Sequence, residues 1–304
     1  MHEPSLLSRL RQPPSRLAKA SRLLLSALVV CLLVSGPATH ATWLLGAWPA
    51  EDVRFLVYYG SVDDPAISGY NVVVLDSQAD QAILARHRQH SLLLGYLSLG
   101  EINEGRAYAS QVAAEGLLLS PNENWPQARF VDLRDGRWKD RVIGQLVPEI
   151  VQRGFGGLFL DTLDDAEFLE ALDPQRFAGM KDAAVDLVQS IRRQFPTLPI
   201  MVNRGYALLP RIIDHIDMVL GESVRSTYDF KAARYEMVSD EAYRWQRDRM
   251  REARHLRADI RLFSLDYWMP DDPVGLARIY AEQRSNGFVP YVATIDLARI
   301  VPRP

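Results

Sequence analysis

Eight short runs of apolar residues, rich in valine, isoleucine, leucine and aromatic side chains, recur along the chain. The runs are shorter than typical helices, and they lack the alternating polar positions of strands that face solvent on one side. They therefore predict strands that are buried on both faces, as in a parallel sheet covered by helices. The runs are Arg54–Gly60, Asn71–Asp76, Leu92–Glu101, Gly157–Asp161, Leu198–Asn203, Met218–Glu222, Arg261–Tyr267 and Phe288–Thr294.

Helical patterns separate most of these runs. Residues 174–195 place apolar side chains at spacings of three and four, and the preceding Asp173 predicts an N-cap, with a proline in the first turn. Residues 138–151 have the same spacing, and Gly154 predicts the end of that helix. Strands and helices that alternate eight times indicate an α/β fold, a closed (β/α)8 TIM barrel. An open doubly wound sheet is the alternative, but the first strand lacks the glycine-rich turn of a dinucleotide-binding fold.

A ninth apolar run, Phe130–Arg134, also resembles a strand. We expect it to lie outside the barrel, in the long connection between the third and fourth barrel strands, residues 102–156. There it can arch over the mouth of the barrel.

The first 41 residues differ from the rest of the chain. Basic residues precede the apolar run Leu23–Val34, and small residues follow it, which is the order of a secretory signal. The run is shorter than the roughly 20 residues of a membrane-spanning helix, so we expect cleavage near Ala38 or Ala41. Lipidation of Cys31 is a minor alternative. We predict a signal peptide or N-terminal anchor over residues 1–41, a single domain over residues 42–304, and a secreted or periplasmic location.

Removal of this segment makes the protein more acidic. The chain has 35 basic and 38 acidic residues; residues 1–41 hold five basic and one acidic, which leaves 30 and 37 and a net charge of −7. Nucleic acid is therefore not an expected partner, whereas a neutral or cationic ligand is compatible. The membrane is an expected partner only through the N-terminal segment.

In a TIM barrel the active site lies at the C-terminal ends of the strands. The last residues of the predicted strands are strongly polar. Each alone can cap the next helix, and Asp76 followed by serine fits that role best. A ring of carboxylates, however, indicates a bound ligand, a cation or shifted proton affinities. The strand-end residues are Tyr58, Tyr59, Asp76, Glu101, Asp161, Asn203, Glu222, Asp266, Tyr267 and Thr294.

Asp161 and Glu222 end two strands that are not adjacent in sequence. Two carboxylates brought together in this way suit glycoside hydrolysis, in which one protonates the leaving oxygen and the other acts on the anomeric carbon. Other reagents are missing: the chain has no strand-end lysine, no Gly-x-Ser-x-Gly turn and no phosphate-binding loop. His87 and His90 are expected on a solvated helix face. We expect no cofactor and no metal, although an all-carboxylate metal site stays open.

Aromatic rings near the strand ends can stack on sugar rings. Trp125 and Trp138, in the long third connection, can line a cleft or fix that loop. The other candidates are Tyr58, Tyr96, Tyr206, Tyr228, Tyr267, Trp268 and Tyr291.

Several motifs resemble the endo-α-1,4-polygalactosaminidase family, glycoside hydrolase family 114. The most specific are Gly95–Glu101 (GYLSLGE) and Gly154–Asp161 (GFGGLFLD). Where that family usually has Asp-Asn-x-Asp, this chain has Asp161-Thr-Leu-Asp164. Weaker matches are Tyr58–Gly60, Val74–Asp76, Phe130–Arg134 with Trp138, Asn203, Glu222 and Asp266-Tyr267.

The resemblance implies a TIM barrel and a retaining mechanism, with Asp161 as the nucleophile and Glu222 as the acid/base. The implied substrate is an α-1,4-linked galactosamine polymer, partly N-acetylated, whose free amines would suit an acidic cleft. A polysaccharide-binding barrel without activity and a metal-dependent hydrolase of another polymer are the alternatives. The expected substrate-binding residues are Tyr58, Asp76, Tyr96, Glu101, Asp164, Asn203, Asp266, Tyr267 and Tyr291.

Overall fold

The computed structural model describes residues 52–123 and 125–304, so the predicted signal segment lies outside the described residues. Among the described residues thirteen strands form, and the apolar runs account for most of them. The strands are β1 (Phe55–Tyr58), β2 (Val72–Leu75), β3 (Leu92–Ser98), β4 (Glu101–Asn103), β5 (Leu118–Pro121), β6 (Ala128–Val131), β7 (Gly157–Asp161), β8 (Ile200–Asn203), β9 (Met218–Glu222), β10 (Ser226–Asp229), β11 (Arg234–Met237), β12 (Arg261–Tyr267) and β13 (Val289–Ala293).

Eight of these strands form one parallel sheet in the order β1-β2-β3-β7-β8-β9-β12-β13. The register places Ser98 beside Asp161 and Leu265 beside Glu222, so the strand ends lie at one level. Where the last and first strands meet, the Tyr59 N–H donates to the Leu297 carbonyl over 2.8 Å. The sheet thus curves into a nearly closed (β/α)8 barrel, and each of the eight predicted runs contains one barrel strand. The predicted fold is confirmed.

Helices connect the barrel strands. The predicted helix stop is confirmed, because Gly154 follows its helix with a left-handed φ of 105°. The predicted start at residue 174 is wrong: the Asp173 carboxylate accepts from the backbone N–H groups of Gln175 and Arg176, and the helix begins at Met180. The helices are α1 (Gln81–His87), α2 (Ala109–Ala114), α3 (Gly136–Arg141), α4 (Val147–Arg153), α5 (Asp165–Leu172), α6 (Met180–Gln194), α7 (Leu209–Ile212), α8 (Asp240–Leu256) and α9 (Pro273–Ser285), with a π-helical turn at Val142–Leu146 and 3-10 turns at Pro65–Gly69 and Ile213–His215.

The long connection from β3 to β7 contains its own antiparallel sheet, in the order β4-β6-β5. The ninth apolar run contributes to β6 and therefore lies outside the barrel, as predicted. Trp138 fixes the connection to the barrel, because its ring is fully buried and its Nε1–H donates to the Leu99 carbonyl over 3.0 Å.

A hairpin of β10 and β11 follows β9 and reaches the residues after β13, two strands away, where the Ile295 N–H donates to the Tyr235 hydroxyl over 3.2 Å. Beyond β10, the Phe230 ring meets the Trp125 ring edge-on, with centroids 5.0 Å apart. Trp125 belongs to the turn between β5 and β6. The connections that follow β3 and β9 therefore touch each other through two half-exposed rings.

His87 contradicts the predicted solvated helix face. Its ring is fully buried, with Nδ1 2.7 Å from the Ser68 Oγ and Nε2 2.9 Å from Asp63 Oδ1. His90, three residues later, is exposed. The two histidines are three residues apart, but only His87 contacts the turn at Pro65–Gly69. Local periodicity does not predict this contact.

We expect His87→Ala to lower the free energy of unfolding by about 2–3 kcal/mol, because it leaves a cavity and removes the two part-buried hydrogen bonds of a buried ring. Urea unfolding at pH 7 measures the change. The exposed His90→Ala is the matched control and should change stability by less than about 0.5 kcal/mol. Equal effects of the two substitutions would contradict a stabilising role for His87.

Candidate active site

Three neighbouring barrel strands, β7, β8 and β9, end in the same way. Each ends with a polar residue, and the next residue has a left-handed backbone although it is not glycine. This conformation costs of order 1–3 kcal/mol and is rare for a β-branched residue such as threonine. It turns the chain immediately after the polar side chain. The three pairs are Asp161-Thr162, Asn203-Arg204 and Glu222-Ser223, with φ of 63°, 53° and 54° for the second members.

The Asn203 amide joins the two predicted catalytic acids. Its Nδ2 donates to Asp161 Oδ1 over 2.9 Å and to Glu222 Oε2 over 2.6 Å. Because one nitrogen contacts both oxygens, these oxygens lie no further apart than the sum of the two distances, 5.5 Å. The barrel therefore brings Asp161 and Glu222 to one point at its C-terminal end.

Each carboxylate of this pair accepts further hydrogen bonds. Asp161 Oδ1 accepts from the Thr162 N–H over 2.9 Å, and its side chain also bonds to Tyr96. Glu222 Oε1 accepts from the Tyr267 hydroxyl over 2.5 Å. Donors on β3, β8 and β12 thus surround the pair and stabilise its negative charge.

Burial and the neighbouring Glu222 charge together raise the pKa of Asp161 to about 6, although hydrogen bonds from Asn203 and Tyr96 oppose the shift. Two carboxylates this close cannot both ionise freely. Such shifts are typical of catalytic groups, because they place proton exchange near the working pH. Asp161 therefore changes its charge state close to pH 6.

The backbone of Glu222 is also held. Its carbonyl accepts from Arg204 Nη2 over 3.0 Å and from Gln246 Nε2 over 2.7 Å. Gln246 comes from α8 and is buried, and Arg204 Nη1 lies 3.8 Å from Asp164 Oδ2. These two donors satisfy the carbonyl at the point where the strand turns sharply.

Thr162 stands where the family has asparagine, and it fastens the end of β7 to the end of β3. Its hydroxyl lies 2.8 Å from the Ser98 Oγ and accepts from the Gly100 N–H over 2.8 Å. A Cβ at Gly100 would lie 2.2 Å from the Thr162 carbonyl oxygen, so only glycine fits there. Thr162 therefore gives the end of β7, next to Asp161, a rigid support.

Glu101 belongs to a second acid pair beside the first. It hydrogen-bonds with Asp165, and its Oε1 accepts from Asn122 Nδ2 over 2.5 Å. Burial, followed by the Glu101 charge, raises the pKa of Asp165 well above its usual range. This pair connects β4 to the start of α5, so Glu101 lies beside the predicted catalytic pair and is not part of it.

Among the other predicted substrate-binding residues, Tyr96, Asn203 and Tyr267 contact the pair directly, and Asp164 lies beside it. Tyr58 and Tyr291 instead lie in the core. The Tyr58 hydroxyl donates to the Val62 carbonyl over 2.9 Å, and the Tyr291 hydroxyl accepts from the Val301 N–H over 3.2 Å.

Asp266 and Asp76 have protein partners other than the predicted catalytic pair. Asp266 is fully buried, accepts from the backbone of Arg225 and Ser226 and from Gln283, and has a pKa that burial raises to about 6. The interpretation of Asp76 as a helix cap is wrong, because Asp80 caps α1. The Asp76 carboxylate pairs instead with both terminal nitrogens of Arg106, over 2.8 and 3.0 Å.

Three residues near the pair are absent from the predicted substrate-binding set, although Tyr59 is among the predicted strand-end residues. Tyr59, next to the predicted Tyr58, packs edge-on against Tyr96 with ring centroids 5.6 Å apart, and its pKa is raised by burial and then by Asp161 and Glu222. The alternation of side chains along β1 was the available signal for Tyr59. The sequence gives no such signal for Arg204 or Gln246. Arg204 lies at the sharp backbone turn after β8, and Gln246 comes from α8.

No group of three or more histidine, cysteine, aspartate or glutamate side chains is arranged to hold a metal ion within the described ranges. In the same part of the chain, every helix is too short or too polar to cross a membrane.

The sequence profile of glycoside-hydrolase family GH114 matches residues 36–304. The glycoside hydrolase domain of PelA from Pseudomonas aeruginosa is similar in structure, with a TM-score of 0.72 and 25% identity over 83% of this chain and 99% of that one. Aspergillus fumigatus Ega3, solved in complex with galactosamine, has a TM-score of 0.65 and 13% identity over 84% and 97%. No curated protein matches the sequence significantly.

Proposed function

We propose a function for this chain, which belongs to glycoside hydrolase family GH114 and is a glycoside hydrolase. It cleaves an α-1,4-linked, partly N-acetylated galactosamine polymer with retention of configuration, and it is exported. The observation that carries the mechanism is the Asn203 bridge between Asp161 and Glu222. The resemblance to the polygalactosaminidase family and the galactosamine complex of Ega3 support the substrate class.

The separation of the carboxylates supports retention. The bridged oxygens of Asp161 and Glu222 lie at most 5.5 Å apart, the sum of their distances to Asn203 Nδ2. Retaining glycosidases have carboxylates about 5–5.5 Å apart, whereas inverting enzymes need about 6.5–9.5 Å to admit a water molecule. The pair therefore fits direct attack on the sugar by one carboxylate.

In the proposed reaction an Asp161 oxygen attacks the anomeric carbon, and the bond to the leaving oxygen breaks while Glu222 gives that oxygen its proton. The donors around Asp161 hold the attacking carboxylate in place. In the second step Glu222 takes a proton from water, the hydroxide adds to the anomeric carbon, and Asp161 leaves as a carboxylate. The resemblance supplies these separate roles.

We expect kcat/KM to rise with pH through about 6 in the wild-type protein, because Asp161 attacks only when ionised and its pKa is raised to about 6. The activity should therefore fall as the pH is lowered through this value. Initial rates between pH 4 and 8 measure the profile. Burial also raises the pKa of Asp266 to about 6, but this residue lies away from the pair. Asp266→Asn should therefore keep the acidic limb of the kcat/KM profile, the fall in activity at low pH. Full activity at pH 4.5 would contradict this assignment.

Incubation of the purified protein with deacetylated and with partly acetylated galactosamine polymers tests the function. Mass spectrometry identifies the products, and proton NMR identifies the anomer that forms first. We expect shortened oligosaccharides and an initial α-anomer. A first-formed β-anomer would overturn retention, and intact polymers in every reaction would overturn the proposed substrate.

Export is proposed from the N-terminal order of basic, apolar and small residues. Cell fractionation and the mass of the mature protein test it. A full-length chain retained in the cytoplasm would contradict it.

A further inference from the structure

A groove of about 310 Å³ opens next to Glu222. Its residues come from three elements that follow consecutive barrel strands: α5 and the turn before it, the turn after β8, and α8. We call it the side groove, and its principal lining residues are Asp164, Phe168, Arg204, Tyr206, Trp245 and Gln246.

We propose that the side groove binds one N-acetylated sugar unit of the polymer, next to the sugar that is cleaved, with Trp245 as the stacking surface. The inference rests on the proposed function and deepens it, because it assigns a preference for acetylation to a particular subsite. The volume is at the lower end of ligand pockets, about 300–1,000 Å³, and suits a single sugar unit.

The side groove lies against the backbone of Glu222. Arg204 and Gln246 line it, and both donate to the Glu222 carbonyl, over 3.0 and 2.7 Å. In the proposed arrangement, a sugar in the groove is the neighbour of the sugar held at Glu222. Such a unit belongs to the same polymer chain.

Aromatic rings form the walls of the side groove. Trp245 on α8 is 55% exposed and Phe168 on α5 is 52% exposed, although both are large apolar side chains. The Tyr206 ring packs edge-on against Trp245, with centroids 5.9 Å apart, and so fixes its orientation. Exposed rings that share one concave surface are typical of ligand-binding sites and suit the apolar face of a sugar.

Two buried donors of the lining residues lack a hydrogen-bond partner, the Tyr206 hydroxyl and Arg204 Nε. Buried polar groups are almost always paired, so these atoms indicate an occupant that supplies an acceptor. The carbonyl oxygen of an acetamido group is such an acceptor, and its methyl group suits the aromatic walls.

The side groove is lined by one guanidinium, that of Arg204, and by the carboxylates of Asp164 and Glu167. Arg204 is permanently cationic and repels an ammonium group. The Asp164 carboxylate is already 3.8 Å from the Arg204 guanidinium. Glu167, which also borders the groove, is exposed to solvent, where its attraction for a cation is screened. An ammonium group cannot accept a hydrogen bond from the unpaired Arg204 Nε, whereas an acetamido carbonyl can, so the acetamido form of the sugar fits better than the amine.

Tyr206→Phe tests this subsite, because it removes one unpaired donor and keeps the ring that supports Trp245. The readout is the ratio of kcat/KM for partly acetylated polymer to kcat/KM for fully deacetylated polymer. We expect the wild type to favour the acetylated polymer and the variant to lose about tenfold of that ratio, the effect of one hydrogen bond. Trp245→Ala should raise KM for the acetylated polymer about tenfold or more.

Leu256→Ala on α8 and Leu172→Ala on α5 are matched controls, because both leucines are exposed and lie outside the side groove. They should keep the wild-type ratio. Mass spectrometry of wild-type products should place an acetylated unit at a fixed position beside the cleaved bond. An unchanged ratio in Tyr206→Phe, or products acetylated at random, would overturn the subsite.

A binding measurement separates failure of the subsite from failure of the proposed function. In the Asp161→Asn protein, calorimetry with partly acetylated galactosamine oligosaccharides should show about tenfold weaker binding when Tyr206→Phe is added. If no polymer is cleaved but this loss is measured, the proposed function fails and the subsite stands. If the affinity is the same with and without Tyr206→Phe, the subsite fails whatever the activity.

Discussion

Either acid of the catalytic pair, when replaced by its amide, is expected to lose at least about 10³-fold in kcat while polymer binding is nearly unchanged. Asp161→Asn removes the attacking oxygen, and Glu222→Gln removes the proton that the leaving oxygen needs. Both changes keep the size of the side chain. The release of reducing ends measures activity, and co-sedimentation with insoluble polymer measures binding. Hydrolysis at the wild-type rate by either variant would contradict the catalytic assignment.

A second pair of measurements separates the two roles. Glu222→Gln should keep much of its first-step rate on an aryl glycoside, because a good leaving group needs no proton. Asp161→Gly should be rescued by azide, which takes the place of the carboxylate and gives a product of inverted configuration. The opposite pattern would exchange the roles of Asp161 and Glu222.

Unfolding measurements serve as the control for Asp161→Asn. The fold raises the pKa of Asp161 to about 6, so the protein favours the protonated acid, and the charged form reduces stability as the pH rises through this value. At pH 7 the melting temperature of Asp161→Asn should therefore equal or exceed that of the wild type. A large loss of stability would mean that lost activity reflects misfolding.

Asn203→Ala is expected to lower kcat by about 10²-fold, because the two carboxylates lose the amide that fixes their separation, and a misplacement of about 1 Å has an effect of this size. The hydrogen bond from Asn203 lowers the pKa of Asp161, so its loss should also move the acidic limb of the kcat/KM profile to higher pH. Rates measured across pH 4 to 8 give both quantities.

Asn103→Ala is the matched control for this substitution. Asn103 is an exposed residue of β4, and its side chain accepts from the Gly105 N–H. It should leave kcat and the acidic limb unchanged. A limb that stays in place in Asn203→Ala would contradict the bridging role of the amide.

The sequence predicts the barrel well because each barrel strand is buried on both faces and therefore forms a continuous apolar run. The first residues of helices are harder to predict from the sequence than the barrel strands. Asp173 uses its carboxylate for a local turn, and a left-handed Gly179, with φ 88°, precedes α6. The burial of His87 depends on a turn 19 residues earlier in the chain, which no local pattern reports.

The candidate site is predictable where it depends on strand ends, and not where it depends on the direction of a side chain. Asp161, Asn203 and Glu222 end their strands and meet. Tyr58 and Tyr59 are adjacent, and the pleat alone decides that Tyr59 approaches the acids. Gln246 belongs to a helix whose sequence is largely polar, so its contact with Glu222 follows only from the packed structure.

The left-handed residues after the three site strands matter for protein engineering. A search for stabilising changes would select Thr162, Arg204 and Ser223 first, since glycine relieves strain at such positions. Glycine would also release the backbone next to Asp161, Asn203 and Glu222. A programme to make this enzyme more heat-stable should therefore leave these three positions unchanged and introduce its substitutions elsewhere in the scaffold.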